Sequence, residues 1–215
     1  MNTPKKILVA PLNWGLGHAS RCIPIIYALK ENNYTPIIAS DGSSLRLLKK
    51  EFPNAIFETL PDYNIKYSEK GKDFRFKIFK QLPKLFFAIR KEKKLLEKII
   101  SKHNIVGIIS DNRPGIYSKK TPSVYITHQM NVLSGNTSWI SSKFHKYVIR
   151  KYKECWIPDV SENLNLSGRL SHENISLNNI KYIGPITRFK KRNLPKKYDL
   201  LVVLSGPEPQ RTILE

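Results

Sequence analysis

The chain has 215 residues, of which 40% are hydrophobic and 10% aromatic, values that are typical of globular proteins and exclude general disorder. Lys and Arg number 37 against 17 Asp and Glu, giving a formal net charge of +20. There is no signal-peptide pattern and no run of about 18 apolar residues, so we expect a cytoplasmic protein. The two cysteines, Cys22 and Cys155, form no metal or redox motif and are expected to be buried thiols.

Strand and helix patterns alternate along most of the chain. Strands are predicted at 7–10, 36–40, 55–60, 105–110 and 124–127. Helices are predicted at 20–32, 43–52 and 138–152, and a further helical pattern extends to His103 with a break at Pro83. Since parallel strands need crossover connections, this alternation predicts an α/β fold with a doubly wound parallel sheet.

The last third of the chain has a different composition. Residues 163–197 are loop-like and rich in Asn, Ser and Lys, whereas 199–204 have the pattern of a buried strand and 212–215 that of a helix start. We therefore predict a Rossmann-like domain over 1–162, a linker or crossover region over 163–197, and the start of a second α/β domain over 198–215. A chain of this kind is expected to be a fragment of a longer protein.

A glycine-rich loop follows the first predicted strand. Its sequence contains Gly15, Gly17 and His18, with Ser20 as the expected helix cap, and such a loop aims backbone N–H groups at an anion. The positive end of the helix dipole favours neutral His18, which can take a proton from a hydroxyl or donate to a phosphate oxygen. The spacing is close to G-x-G-x-x-G, and Asp41 lies near the position of a ribose-binding acid, so a dinucleotide-binding oxidoreductase is an alternative.

Three later motifs follow this loop in a characteristic order. They are 128–131 (His-Gln-Met-Asn), 184–188 (Gly-Pro-Ile-Thr-Arg) and 204–206 (Leu-Ser-Gly). With Gly-x-Gly-His-x-x-Arg at 15–21, they resemble the N-terminal domain of family 28-like glycosyltransferases of the GT-B fold. The family has His-Glu-Gln-Asn at the second motif, so Gln129 replaces its acid.

This resemblance implies transfer of a sugar, often N-acetylglucosamine, from a UDP-sugar to an acceptor hydroxyl. The implied acceptor is lipid-linked or a glycan, and the implied chemistry needs no metal or other cofactor. The sequence has no convincing Asp-x-Asp loop and no metal-ligand spacing of His, Cys and Asp, which agrees with that expectation. A nucleotide-sugar epimerase of the same architecture is a second alternative.

The resemblance also implies roles for individual residues. His18 is implied as the catalytic base or a phosphate contact. The residues expected on the acceptor side are Gly15, Gly17, Asp111, Asn112, Arg113, His128 and Asn131. Those expected on the donor side are Arg188, Ser205, Gly206 and Arg211. The stretch 111–113 is included because it follows a predicted strand at the carboxyl edge of the sheet, although a simple turn at Pro114 is the alternative.

The positive charge is concentrated in one segment. Residues 70–102 contain twelve Lys or Arg and three acidic residues, interleaved with Phe, Leu and Ile. This pattern predicts a basic amphipathic surface that rests on an anionic membrane, on the inner face of the plasma membrane. A solvated helix with an ordinary core face is the alternative. A nucleic-acid partner is not expected, because no nucleic-acid module is apparent.

Overall fold

The structure is a computed structural model of the chain. It describes residues 4–63, 74–131, 138–162, 164–172, 177–204 and 212–213, with the backbone alone at 74–82 and 138–141.

Within these residues, seven strands form one parallel sheet. The strands are β1 (Lys6–Pro11), β2 (Thr35–Ser40), β3 (Ile56–Thr59), β4 (Ile105–Asp111), β5 (Ser123–Ile126), β6 (Glu154–Ile157) and β7 (Ile180–Tyr182). Their order is β3-β2-β1-β4-β5-β6-β7, and every neighbouring pair is parallel. The strand order reverses between β1 and β4, so the carboxyl ends of these two strands form the switch point at which open α/β sheets bind ligands. The predicted α/β fold is confirmed.

Helices cover both faces of this sheet. They are α1 (Gly17–Glu31), α2 (Gly42–Glu51), α3 (Phe74–His103), α4 (Ser138–Ile149) and α5 (Arg169–His172). Successive strand residues point to opposite faces, so Val9 packs with Ile23 of α1 while Leu8 packs with Leu96 and Ile99 of α3. Burial on both faces explains why β1 and β4 are almost continuously apolar.

Two expectations about the helices are wrong. α1 begins at Gly17, so Ser20 lies inside the helix, where its N–H donates to the carbonyl of Leu16 at 2.9 Å instead of capping the helix. The break expected at Pro83 is absent, because α3 continues through this residue for 30 residues in all. A proline removes one backbone hydrogen bond, and the packing of Leu96 and Ile99 against the sheet holds the rest of the helix in place.

The C-terminal part also differs from the expectation. The segment 163–197 contains α5 and β7, and β7 extends the sheet by pairing with β6. Residues 200–204 form no strand in the described part of the chain, and Leu200 and Val203 are 81% and 73% exposed. The predicted buried strand is therefore wrong for this chain, because a strand needs a paired neighbour and a covered face. The domain boundaries at 162 and 197 remain predictions.

Candidate active site

Two residues of α1 face the end of β4. Asp111 is the last residue of β4 and pairs with Pro11 at the end of β1, so it lies at the switch point. His18 and Arg21 are three residues apart in the first turns of α1, and this spacing places them on one face of the helix. Both side chains contact the carboxylate of Asp111.

The Asp111 carboxylate is fully buried and is held from three sides. Nδ1 of His18 lies 2.9 Å from Oδ1, and Nε of Arg21 donates to Oδ2 at 3.0 Å. Sγ of the buried Cys22 lies 3.7 Å from Oδ2. Burial would raise the pKa of Asp111, but the hydrogen bond from His18 and the charge of Arg21 outweigh it and leave that pKa below its ordinary value. The carboxylate is therefore ionised at neutral pH.

An ionised carboxylate determines the tautomer of the neutral His18 ring. Because it only accepts hydrogen bonds, Nδ1 of His18 donates and the lone pair of the neutral ring is on Nε2. The His18 side chain is 13% exposed, so the ring is ordered by its partner yet accessible to a ligand. This arrangement can accept a proton from a hydroxyl.

A second histidine reaches the same cluster from β5. His128 follows this strand, and its Nδ1 lies 3.3 Å from Nη1 of Arg21. Partial burial lowers the pKa of His128, and the positive charge of Arg21 lowers it further. Three residues predicted from the sequence, His18, Asp111 and His128, are thus brought together by tertiary structure. The glycine-loop motif includes Arg21 but does not by itself indicate a role for it, although the spacing of three residues from His18 places both on one helix face.

Arg113 lies beneath this cluster and not on its surface. The side chain is fully buried, and its guanidinium forms ion pairs with Asp41 and with Glu92 of α3. It also donates to the carbonyl of Pro11 at 3.0 Å. Burial lowers the pKa of Arg113 and raises that of Glu92. A side chain held in this way supports the core, and its position does not allow the acceptor contact expected from the sequence.

Asp41 is also occupied by internal partners. Its carboxylate pairs with Arg113 and accepts from Nδ2 of Asn13 at 2.9 Å, while Oδ1 of Asn13 accepts from Ser43 at 2.9 Å. Only 6% of Asp41 is exposed. These contacts hold the β1–α1 loop against the start of α2, and they leave the carboxylate unavailable to a ribose. This observation speaks against the dinucleotide alternative.

The remaining acceptor-side candidates are spread along the same edge. Gly15 has a φ of +66°, which favours glycine, and both Gly15 and Gly17 are exposed in the loop before α1. Asn112 has a φ of 60°, and its Oδ1 accepts from the Tyr125 hydroxyl at 3.1 Å. The side-chain amide of Asn131 donates to the carbonyl of Arg169 at 3.1 Å, which ties the segment after β5 to α5.

The donor-side candidates are not brought to this edge by the described residues. Nη1 of Arg188 lies 4.0 Å from Glu51, the last residue of α2. α2 starts near Asp41 and runs away from the edge for ten residues, or about 15 Å at 1.5 Å per residue. Arg188 therefore does not face His18 in this chain. Ser205, Gly206 and Arg211 lie outside the described residues.

A cavity of ≈ 160 Å³ adjoins the cluster. Its apolar lining includes Trp14, Tyr63, Leu85, Phe144 and Val148, and its polar lining is Asn112, Tyr125, Gln129 and His145. Asn112 and Gln129 directly follow Asp111 and His128, so the cavity opens beside these two residues. A larger hollow of ≈ 470 Å³ lies at the opposite edge of the sheet, where Tyr34 and Ala55 precede β2 and β3. This hollow is therefore separated from the cluster of His18, Asp111 and His128.

The described helices include none that is both long and apolar enough to cross a membrane. Among the described residues, no three His, Cys, Asp or Glu side chains are arranged as a metal site.

The fold is that of solved glycosyltransferases. UGT2 of Phytolacca americana, solved with UDP-2fluoro-glucose and pterostilbene, matches 86% of this chain and 55% of its own at 9% identity and a TM-score of 0.55. MurG of Acinetobacter baumannii matches 72% of this chain and 41% of its own at 14% identity and a TM-score of 0.46. SsfS6 of Streptomyces sp. SF2575 matches 71% of this chain and 50% of its own at 8% identity and a TM-score of 0.46.

The chain thus spans 41–55% of the length of these three solved structures. At such identities the likeness shows the fold alone, a Rossmann-like parallel α/β sheet with helices on both faces. No family model and no curated protein matches the sequence.

Proposed function

We propose that this chain is the acceptor-side half of a glycosyltransferase resembling family 28. It acts in transfer of a sugar, N-acetylglucosamine, from a UDP-sugar to a hydroxyl of a lipid-linked or glycan acceptor, without a metal. The observation that carries this proposal is the His18–Asp111 pair at the switch point of a sheet shared with glycosyltransferases. The epimerase alternative has no comparable support among the described residues.

In the proposed reaction, the acceptor hydroxyl attacks the anomeric carbon of the donor sugar. Nε2 of His18 takes the hydroxyl proton as the glycosidic C–O bond forms, and the ionised Asp111 stabilises the imidazolium. The bond between the anomeric carbon and the diphosphate oxygen breaks, and its electron pair leaves with UDP. Transfer of the proton from His18 to the released diphosphate or to water restores the neutral ring.

The diphosphate is proposed to meet the first turn of α1. The backbone N–H groups of Gly17 and His18 lie at the positive end of this helix, and no side chain caps it within the described residues. Gly15 and Gly17 leave open space at this point, since a Cβ atom added at either residue would have no other part of the chain within 4 Å. Arg188, Ser205, Gly206 and Arg211 are proposed donor contacts of a complete two-domain protein, which requires 183–204 to follow another path there.

The acceptor is proposed to lie over His128, Asn112 and Asn131, with an apolar group in the ≈ 160 Å³ cavity. The surface of α3 supports a membrane-bound acceptor. Phe86 and Phe87 are 57% and 75% exposed, and exposed basic residues flank them. We therefore place the protein in the cytoplasm, against the anionic inner face of the plasma membrane.

Sugar transfer from UDP-N-acetylglucosamine tests this proposal, using the protein that carries this chain together with a donor domain. His18→Ala should lower kcat by about 10²-fold or more, since a positioned general base contributes that much. The matched control is His103→Gln, because His103 pairs with Glu58 of β3, the edge strand of the sheet. Near-normal turnover of His18→Ala contradicts the base role, and a wild-type protein that transfers no sugar contradicts the whole proposal.

A further inference from the structure

Arg21 links three side chains of the candidate site. Its Nε and Nη2 donate to Asp111 at 3.0 and 2.5 Å, and its Nη1 lies 3.3 Å from Nδ1 of His128. The Arg21 side chain is 15% exposed, so this fork is largely enclosed by its partners. These contacts determine which nitrogen of each imidazole carries its proton.

His128 is held in one tautomer by this contact. A guanidinium has only donors, so Nδ1 of His128 must accept from Nη1 of Arg21. The proton of the neutral ring is then on Nε2. Burial and the positive charge of Arg21 hold the pKa of His128 below its ordinary value, which favours this neutral form.

His18 is held in the opposite tautomer. Its Nδ1 lies 2.9 Å from Oδ1 of Asp111 and 3.0 Å from Nη2 of Arg21, and Nη2 is 2.5 Å from the same Oδ1. An ionised carboxylate only accepts hydrogen bonds, so the 2.9 Å contact with Oδ1 requires a proton on Nδ1. Nδ1 donates this proton to Oδ1, which also accepts from Nη2 of Arg21.

We propose that Arg21 is a positioning residue that holds His128 as the Nε2–H tautomer, while Asp111 holds His18 as the Nδ1–H tautomer. The site then offers a proton acceptor, Nε2 of His18, and a hydrogen-bond donor, Nε2–H of His128. Both rings contact one guanidinium, which limits their separation.

This pair of groups fits an acceptor molecule with a second polar oxygen besides the reacting one. The reacting hydroxyl gives its proton to His18, and the second oxygen, from a hydroxyl or a carbonyl, accepts from His128. A polyhydroxyl acceptor has this pattern. The substrate class rests on the proposed function, whereas the assignment of the two tautomers rests only on the contacts of Arg21.

Nitrogen NMR of the histidine side chains tests the tautomers in the chain itself. We expect Nδ1–H at His18 and Nε2–H at His128. A lysine keeps the charge of Arg21 but has no planar fork to reach Asp111 and His128 together. In Arg21→Lys, His128 should therefore become a mixture of tautomers while His18 stays unchanged. Arg46→Met, at an exposed arginine of α2, should change neither ring.

Two results overturn the proposal: Nδ1–H at His128 in the wild-type chain, or an unchanged His128 in Arg21→Lys. If the lysine variant does not fold, Arg21→Gln takes its place, and the wild-type spectrum decides the tautomers without either variant.

Kinetics of the two-domain protein test the donor role of His128. Glutamine places its amide nitrogen near the position of Nε2, whereas asparagine places it near that of Nδ1. With a polyhydroxyl acceptor, His128→Gln should keep a KM close to that of the wild type. His128→Asn should raise the acceptor KM about tenfold, the effect of one lost hydrogen bond. Equal effects of the two variants contradict the donor role. If no protein transfers sugar, the proposed function fails while the NMR result stands.

Discussion

Nδ1 of His18 lies 2.9 Å from Oδ1 of Asp111, although 93 positions separate the two residues in the sequence. One residue comes from the first turn of α1 and the other from the end of β4, and the parallel pairing of β1 with β4 brings them together. The contact combines an accessible imidazole with a fully buried carboxylate, which is the arrangement that a general base needs.

Replacing the Asp111 carboxylate should remove the group that orients His18. In Asp111→Asn, the amide no longer favours Nδ1–H at His18, and the negative charge that stabilises the imidazolium is lost. We expect kcat of the two-domain protein to fall by about two to four orders of magnitude, by analogy with orienting carboxylates in hydrolase triads. Sugar-transfer kinetics with matched thermal unfolding curves check this, and an unchanged kcat with an intact fold contradicts it.

The same carboxylate predicts a pH dependence of stability. The pKa of Asp111 in the folded chain is below that of the unfolded chain, so ionisation stabilises the fold above the unfolded value of about 3.9. This contribution is lost as the pH falls from that value through the lower pKa of the folded state. When urea unfolding is measured between pH 5 and about pH 3, Asp111→Asn should lose less stability than the wild type. Parallel curves for the two proteins contradict the assignment.

In the buried network of Arg113, Asp41 and Glu92, loss of the cation should cost more stability than loss of one carboxylate. Arg113→Met leaves two carboxylates, Asp41 and Glu92, without their cation, and breaking a buried pair costs about 3–5 kcal/mol. Glu92→Gln leaves Arg113 paired with Asp41 and should cost less. Arg150→Met, at an exposed arginine, is the control and should change stability by about 0.5 kcal/mol or less. Chemical denaturation measures all three, and equal costs for Arg113→Met and Arg150→Met contradict the structural role.

The exposed surface of α3 should bind anionic vesicles. Each Lys or Arg near such a surface contributes about 1 kcal/mol, so the triple variant at Lys84, Arg90 and Lys91 to Gln should lower the partition coefficient by about two orders of magnitude. Phe87→Ser tests the apolar contribution, since this ring is 75% exposed. Glu97→Gln, an exposed position on the same helix, should not weaken binding.

Co-sedimentation with vesicles containing phosphatidylserine, compared with neutral vesicles and with increasing salt, provides the measurement. Equal binding to both vesicle types, or binding that is insensitive to salt, contradicts the membrane proposal.

The fold was accessible to sequence reasoning because its signals are local. Apolar runs at 7–10 and 105–110 are typical of strands covered on both faces, and the structure places β1 and β4 there within one residue at each end. The carboxyl edge was therefore predictable as the ligand edge. The short strand β7 was missed because its three residues carry no apolar run, and its position depends on pairing with β6.

The roles of the residues at the carboxyl edge of the sheet were harder to derive from the sequence than the location of these residues. Asp111 and Arg113 are two positions apart, and their residue types suit ligand binding equally well. The structure points Asp111 at His18 and buries Arg113 between Asp41 and Glu92. Neither orientation is encoded in local pattern, because each depends on partners tens of residues away.

The sequence by itself determined a parallel α/β sheet and a polar edge that begins at Gly15 and His18, because apolar periodicity and glycine loops act over a few residues. Only the tertiary structure decided that Asp111 orients His18 and that Arg21 joins both to His128. The physical reason is that hydrogen bonds of about 3 Å between distant segments depend on strand order and helix rotation, which are set by the packing of the whole sheet.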